Sequence, residues 1–321
     1  MTRDTLEHHQ IPLYFAAVLL AGAFGLLAPS LAQGLGALVT PAIAVLMYAM
    51  FLQIPFLDLR QSLSHKRFLS ALLLANFILV PLLVWVLTRG LVERPALLVG
   101  ALLVLLTPCI DYVVVFTHIG KGDSRLMLAA TPVLLLLQLL LLPVYLGLML
   151  GVQSGVVVQV GPFIEAFLLL IVLPMALAVI TAFLARRSSG VSAWNDAWAW
   201  LPVPAMALVL VVVIGSQITS VVRDINLLLP VIPVYVAFLL LAPVIGGVTA
   251  RLFALPAATA RAVTFSASTR NSLVVLPLAL ALPEDVRGVA ATAVILQTLV
   301  ELVGELIYVR LIPRLVWPAG R

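Results

Sequence analysis

From Leu126 to Leu150 the chain carries no charged residue, and this is one of ten long apolar stretches. They cover about 11–32, 36–57, 68–88, 95–118, 126–150, 161–185, 198–221, 226–250, 258–282 and 288–311. Each is close to the roughly 20 residues a helix needs to cross the hydrocarbon of a bilayer. The runs are continuously apolar, as from Ala205 to Ile214, and show none of the alternation of barrel strands. In lipid the backbone has no water to bond, so each span is expected to be a helix. Composition agrees: 64% of the 321 residues are hydrophobic, 10% are charged, and the mean hydropathy is +1.23. Soluble domains carry roughly 25% charged residues. A soluble enzyme, a disordered chain and a nucleic-acid binder are excluded, because the basic residues are scattered singly and form no patch.

One cysteine excludes a disulfide framework and a multi-cysteine metal site. The run Ser30-Leu31-Ala32-Gln33 resembles a signal-peptidase site. The apolar stretch before it is too long for a signal core, and Asp4 and Glu7 precede it, so a retained first helix is expected. Lys and Arg set orientation. With the N-terminus inside, 13 of the 18 cations fall in inside segments: Arg3, Arg60, Lys66, Arg67, Lys121, Arg125, Arg186, Arg187, Arg251, Arg261, Arg310, Arg314 and Arg321. Four fall outside (Arg89, Arg94, Arg223 and Arg287), and Arg270 falls within a span. This bias places both termini in the cytoplasm and favours an even number of spans.

Two spans carry polar interruptions. The fourth has Thr107-Pro108-Cys109-Ile110-Asp111, and the ninth has Ser266-Ala267-Ser268-Thr269-Arg270-Asn271-Ser272. Valines resume after each, at Val113-Val114-Val115 and at Leu273-Val274-Val275, an offset of 160 residues. That offset equates Cys109 with Thr269 and Asp111 with Asn271. Five spans per half is an odd number, so the second half is expected to be inverted in the membrane. The fold class is therefore an all-α polytopic membrane protein of ten helices. Residues 1–155 form a first five-helix repeat and 156–321 a second, inverted one. Matching breaks in inverted halves point to the central site of a secondary transporter. Broken ends expose bare carbonyls and bare N–H groups, which can hold an ion or polar substrate at mid-membrane. Pro108 frees a further carbonyl. No nucleotide-binding loop is present, so ATP does not drive the chain directly.

The ten-helix plan, the two breaks, and the stretch from Thr107-Pro108-Cys109 to Ile119-Gly120-Lys121-Gly122-Asp123 resemble the bile acid:sodium symporter superfamily. Within it, the Pro-Cys of the fourth span followed by a Lys-Gly-Asp loop is most similar to the arsenite-efflux, or arsenical-resistance, branch. The resemblance implies crossing broken helices four and nine. It also implies a panel of helices one, two, six and seven beside a core of the other six. It implies a functional cysteine, matched by Cys109, and an essential glutamate in the last helices, matched in placement by Glu301. In the sodium-coupled branch, a Glu and a Gln in the ninth-helix break ligate Na⁺; Ser266 and Arg270 stand near those positions.

Cys109 is the only thiol, and soft thiolates select thiophilic centres such as As(III). One thiol as the arsenic ligand gives exchangeable capture. Against this, lone cysteines often serve only as small hydrophobes. Asp111, an ionisable group within a span, is a candidate for substrate binding or proton coupling, or a partner of Arg270. Arg270 keeps its charge. Buried, it needs a carboxylate partner, Asp111 or Glu301, or an anionic substrate. Thr107, Thr269 and Asn271 are candidate substrate-binding groups, and Asn76 of the third span is either cavity-lining or a helix–helix bond.

Gln297, Glu301 and Glu305 recur at four-residue spacing on one helix face. Two carboxylates a turn apart in an apolar setting do not both ionise easily, which suits a proton carrier. Glu301 is expected to be that carrier. Glu305, nearer the cytoplasmic end, is expected on a solvated face, and Glu165 at the interface. All four histidines (His8, His9, His65 and His118) lie near span ends or outside spans. No Ser–His or Cys–His arrangement exists in the spans, which argues against an enzyme. Gly120-Lys121-Gly122-Asp123 contains the G-x-G-D string of intramembrane aspartyl proteases, but it falls in a basic loop.

The expected function is export of arsenite, with antimonite, across the cell inner membrane by proton antiport. The alternative is a sodium-independent transporter of small organic anions anchored by Arg270. The expected partners are the small-molecule substrate, protons and the bilayer. No cofactor and no nucleic acid is expected.

Overall fold

A computed structural model describes residues 10–53, 65–110, 112–150, 165, 168–223 and 225–316. Among the described residues every element is helical. In chain order these are α1 (Gln10–Leu27), α2 (Pro29–Gly34), α3 (Val39–Gln53), α4 (Lys66–Leu74), α5 (Val80–Leu87), α6 (Pro95–Leu105), α7 (Val113–Ile119) and α8 (Ser124–Leu150). There follow α9 (Leu173–Ala185), α10 (Ser189–Trp198), α11 (Pro202–Arg223), α12 (Ile225–Leu228), α13 (Ile232–Leu252), α14 (Ala257–Ser268), α15 (Ser272–Leu280) and α16 (Glu284–Leu315).

Among the described residues six helical runs are long and apolar enough to cross a membrane: Pro29–Gln53, Lys66–Leu91, Ser124–Leu150, Pro202–Arg223, Ile232–Leu252 and Val286–Leu315. The first joins α2 to α3 through a 3-10 turn, and the second joins α4 to α5 through a π turn. Pro12–Leu27, Pro95–Leu105 and Leu173–Ala185 are apolar but shorter. Leucines such as Leu140, Leu148, Leu240 and Leu252 stand largely exposed, as a lipid-facing surface requires. These are the features of a multi-pass membrane protein.

One sequence expectation changes here. The first apolar stretch, read as 11–32, stops at Leu27. Ala28 leaves helical geometry (φ −132°, ψ 63°) and Pro29 opens the next helix. Proline lacks an N–H and has a fixed φ, so it suits a helix start better than a helix interior. The spans read at 95–118 and 258–282 are each two helices, α6 with α7 and α14 with α15, interrupted where the sequence reading put its two polar breaks. Part of the stretch read at 161–185 lies outside the described residues.

The chain divides into two compact units. The first holds residues 1–53 and 160–226, where the sequence reading put its first, second, sixth and seventh spans. In it, α11 packs along α1 and α3, and the Tyr48 hydroxyl meets Thr181 Oγ1 at 2.9 Å. The second holds residues 54–159 and 227–321, and it contains both broken helices. Two glycines set its close approaches. A Cβ on Gly100 of α6 would lie 2.6 Å from the Ala290 carbonyl of α16, and one on Gly246 of α13 would lie 2.6 Å from Thr264 Cα of α14. Small residues let helix backbones touch where no hydrophobic effect drives them together.

Gly246→Leu is therefore expected to lower the unfolding midpoint of the detergent-solubilised protein, with overpacking costing about 1–3 kcal/mol. Tryptophan-fluorescence melting checks it. Gly147→Leu, at a site with nothing within 4 Å, should leave the midpoint nearly unchanged.

Candidate functional site

The two breaks meet. Pro108 and Arg270 form an antiparallel bridge pair. On either side, the Cys109 N–H donates to the Thr269 carbonyl at 3.1 Å, and the Asn271 N–H donates to the Thr107 carbonyl at 2.8 Å. Pro108 thus occupies the non-hydrogen-bonded position of the pair, where a missing N–H leaves no ladder bond unmade. For the same reason the Arg270 N–H turns away from Pro108. It donates instead to Glu301 Oε1 of α16 at 3.0 Å.

The pairing sets its own correspondence between the two breaks. Cys109 and Asn271 carry equivalent bonds, as do Thr107 and Thr269, an offset of 162 and not 160. Thr107 and Thr269 match further, each turning its hydroxyl back to the last turn of its own helix, on Leu103 O at 2.6 Å and Phe265 O at 2.7 Å. The first break, between Leu105 and Val113, is longer than the second, between Ser268 and Ser272. Valines beyond the breaks therefore align at a different offset from the paired segments.

Arg270 is fully buried. Its Nη2 donates to Asn76 Oδ1 at 2.9 Å and to the Ser266 and Ala267 carbonyls at 2.7 Å each. Its Nη1 reaches the Leu105 carbonyl at 3.4 Å, and the guanidinium lies 5.4 Å from the Phe238 ring centroid. Ser266 and Ala267 belong to the last turn of α14, and Leu105 ends α6. One cation thus satisfies bare carbonyls at the C-terminal ends of both half-helices, where the helix dipole is negative. The sequence asked for a carboxylate partner to the guanidinium. Among the described residues its partners are these oxygens, because helix ends buried together supply enough acceptors. Asn76 also donates to Ser266 Oγ at 3.0 Å, which ties the third span to the ninth break.

Glu301 is buried and accepts from three groups. These are the Arg270 N–H, the Tyr112 hydroxyl at 2.8 Å, and the Gln297 amide on its second oxygen. Tyr112 lies equally close, at 2.8 Å, to the Arg270 carbonyl. Asn271 caps α15, its side chain accepting from the Val274 N–H at 3.2 Å. Glu305, expected on a solvated face, is fully buried. Its Oε1 lies 2.7 Å from Thr269 Oγ1. The correction follows from helix geometry: one turn beyond Glu301, it faces the same break.

Of the sequence candidates, Thr107, Cys109, Thr269, Arg270, Asn271 and Glu301 come together at this crossing. Cys109 is buried within it. Asp111 lies outside the described residues, as do both termini. Glu165 is exposed. The sequence reading missed Tyr112, while Asn76 makes the helix–helix bond that was one of its two readings. A lone tyrosine directly after a broken segment was the available signal for Tyr112. Among the described residues no group of three His, Cys, Asp or Glu side chains could hold a metal ion.

The sequence profile of the sodium bile acid symporter family matches residues 40–224, more than half of the 321 residues. The chain belongs to the sodium bile acid symporter family. It is thereby one of a family of sodium-coupled or related secondary transporters. No curated protein matches the chain. In this member of the sodium bile acid symporter family, a fixed guanidinium sits where the two half-helix ends meet.

Tyr112→Phe is expected to cost about 1 kcal/mol of stability, the net value of one hydrogen bond. Glu301→Ala strands the Arg270 N–H and the Gln297 amide and should cost severalfold more. Denaturant unfolding in detergent measures both.

Proposed function

We propose that this protein is a proton-coupled, sodium-independent secondary transporter that exports As(III), and Sb(III) with it, through the crossing of its two broken helices. The observation that carries this reading is the position of Cys109. It lies buried in the crossing, with its N–H on the Thr269 carbonyl. Polar atoms without hydrogen-bond partners surround the same region: Ser272 Oγ, Gln297 Oε1 and Arg270 Nε.

The chemistry balances simply. Arsenite at neutral pH is the uncharged trihydroxide. The Cys109 sulfur forms a bond to arsenic as one As–O bond breaks, and the thiol proton leaves with that hydroxide as water. The reverse step releases the cargo. A single thiol holds As(III) weakly enough for exchange, and a neutral cargo needs no fixed counter-charge. Thr107, Thr269 and Asn271 supply polar groups beside the sulfur, and Asp111 or a carboxyl group of α16 carries the coupling proton.

The engagement of Arg270 supports sodium independence. Its guanidinium fills the oxygen-lined position near which the sodium-coupled branch carries its ligating Glu and Gln, and a second cation there would be repelled. The same engagement disfavours the organic-anion reading, since both terminal nitrogens are already given to oxygens of the chain. The distribution of Lys and Arg supports both termini in the cytoplasm.

As(III) accumulation in everted membrane vesicles tests the reading. A pH gradient should drive uptake in the wild type, and Cys109→Ser should reduce it at least tenfold. Undiminished uptake in Cys109→Ser would sink the thiol mechanism. Carboxylate uptake without As(III) uptake, lost in Arg270→Gln, would establish the anion carrier instead.

A further inference from the structure

We infer that Glu305 is the carboxyl group that holds the exchangeable proton, through Thr269, while Glu301 remains ionised and serves to position the crossing. The inference rests on the proton-coupled reading but not on its substrate.

The two glutamates stand one turn apart and are solvated by the protein in opposite ways. A carboxylate can only accept hydrogen bonds, and a buried one needs several donors. Glu301 has two N–H donors, one on each oxygen, and shares the single Tyr112 hydroxyl proton with the Arg270 carbonyl. Glu305 is fully buried, meets one hydroxyl, and its Oε2 has no partner. An ionised Glu305 would leave a charged oxygen bare in the protein interior. A neutral Glu305 leaves only a carbonyl-like oxygen bare, which costs far less.

The Thr269 hydroxyl lies 2.7 Å from Glu305 Oε1 and 2.7 Å from the Phe265 carbonyl. The carbonyl can only accept, and the hydroxyl has one proton. With Glu305 protonated, its O–H donates to Thr269 and Thr269 donates to Phe265. When Glu305 gives up its proton, the Thr269 hydroxyl rotates to donate to the carboxylate. The Phe265 carbonyl keeps the Thr269 N–H, at 3.0 Å. One hydroxyl rotation therefore serves both protonation states without moving the backbone pairing.

Charge points the same way. The titratable neighbours of Glu305 are Glu301 and Tyr308 on its own helix and Tyr112 in the first break, while Arg270 and Cys109 belong to the same crossing. Packed against α16, α6 and α15 carry no titratable side chain. α13 carries Tyr235, bonded to the Ala293 carbonyl at 2.9 Å, and Arg251 near its end. α14 carries Arg261, which binds the Lys121, Pro313 and Val316 carbonyls, and α7 carries the exposed His118. Among the described residues of the buried cluster, Arg270 is the one cation. One carboxylate and one carboxylic acid make that cluster neutral. Two carboxylates would leave it one charge negative in an apolar interior. Proton release from Glu305 creates that excess charge, so the emptied carrier must take up a proton before it resets.

Infrared difference spectroscopy of the purified full-length protein in lipid vesicles, between neutral and strongly alkaline buffer, reads the proton without any substrate. A protonated-carboxyl C=O band should be present in the wild type, absent in Glu305→Gln, and restored by Glu305→Asp. It should shift in frequency in Thr269→Val, which keeps the carboxyl group but removes its hydroxyl partner. In Glu305→Gln the acceleration of As(III) uptake by a pH gradient should fall at least tenfold. A band unchanged in Glu305→Gln, or one lost in Glu301→Gln instead, overturns the assignment. A wild type that keeps the Glu305 band but moves no As(III) supports the assignment and refutes the substrate reading.

Discussion

A helix interrupted inside hydrocarbon leaves backbone groups that no water reaches, and the centre of this protein is organised by how those groups are satisfied. Each break lends the other a hydrogen bond, from Cys109 to Thr269 and from Asn271 to Thr107. Pro108 sits at the one position in that pairing where its missing N–H is harmless. The carbonyls left over at the ends of α6 and α14 converge on the Arg270 guanidinium. A charged side chain that would be costly alone in a membrane becomes the group that closes the backbone's unmet bonds.

A fixed cation at the half-helix ends changes what the site can do. A transporter that seats a diffusible cation between such ends gains or loses a charge with each ion. Here the charge belongs to a side chain and stays in place. Glu301 holds the backbone N–H of the same residue whose side chain holds the helix ends, so one carboxylate and one guanidinium fix the crossing from two sides. That leaves Glu305, with its single hydroxyl neighbour, as the group whose charge can change at least structural cost.

Much of this was legible in the sequence. Continuous apolar runs gave the membrane character, and two polar interruptions with following valines located the breaks. Arg270 stood out because a guanidinium within a span must find partners. What the sequence concealed was three-dimensional. The lengths of the two breaks differ, so the valines suggested an offset of 160 while the paired backbone sets 162. Among the described residues Arg270 meets carbonyls and Asn76, and nothing in the linear order shows that two helix ends and the third span converge. Glu305 read as a solvated residue from its distance along α16. Its burial depends on the neighbouring break, which covers that turn of the helix. Nothing in the linear order marks Tyr112, whose hydroxyl lies between Glu301 and the Arg270 carbonyl.

The role of Arg270 as a tethered cation is tested most directly by melting the purified full-length protein in matched K⁺ and Na⁺ buffers. The wild-type midpoint should be the same in both, since the oxygens are already occupied. Arg270→Gln, which releases them, should be stabilised by Na⁺ over K⁺ in a concentration-dependent way. A wild-type protein stabilised specifically by Na⁺ would contradict the tethered-cation role.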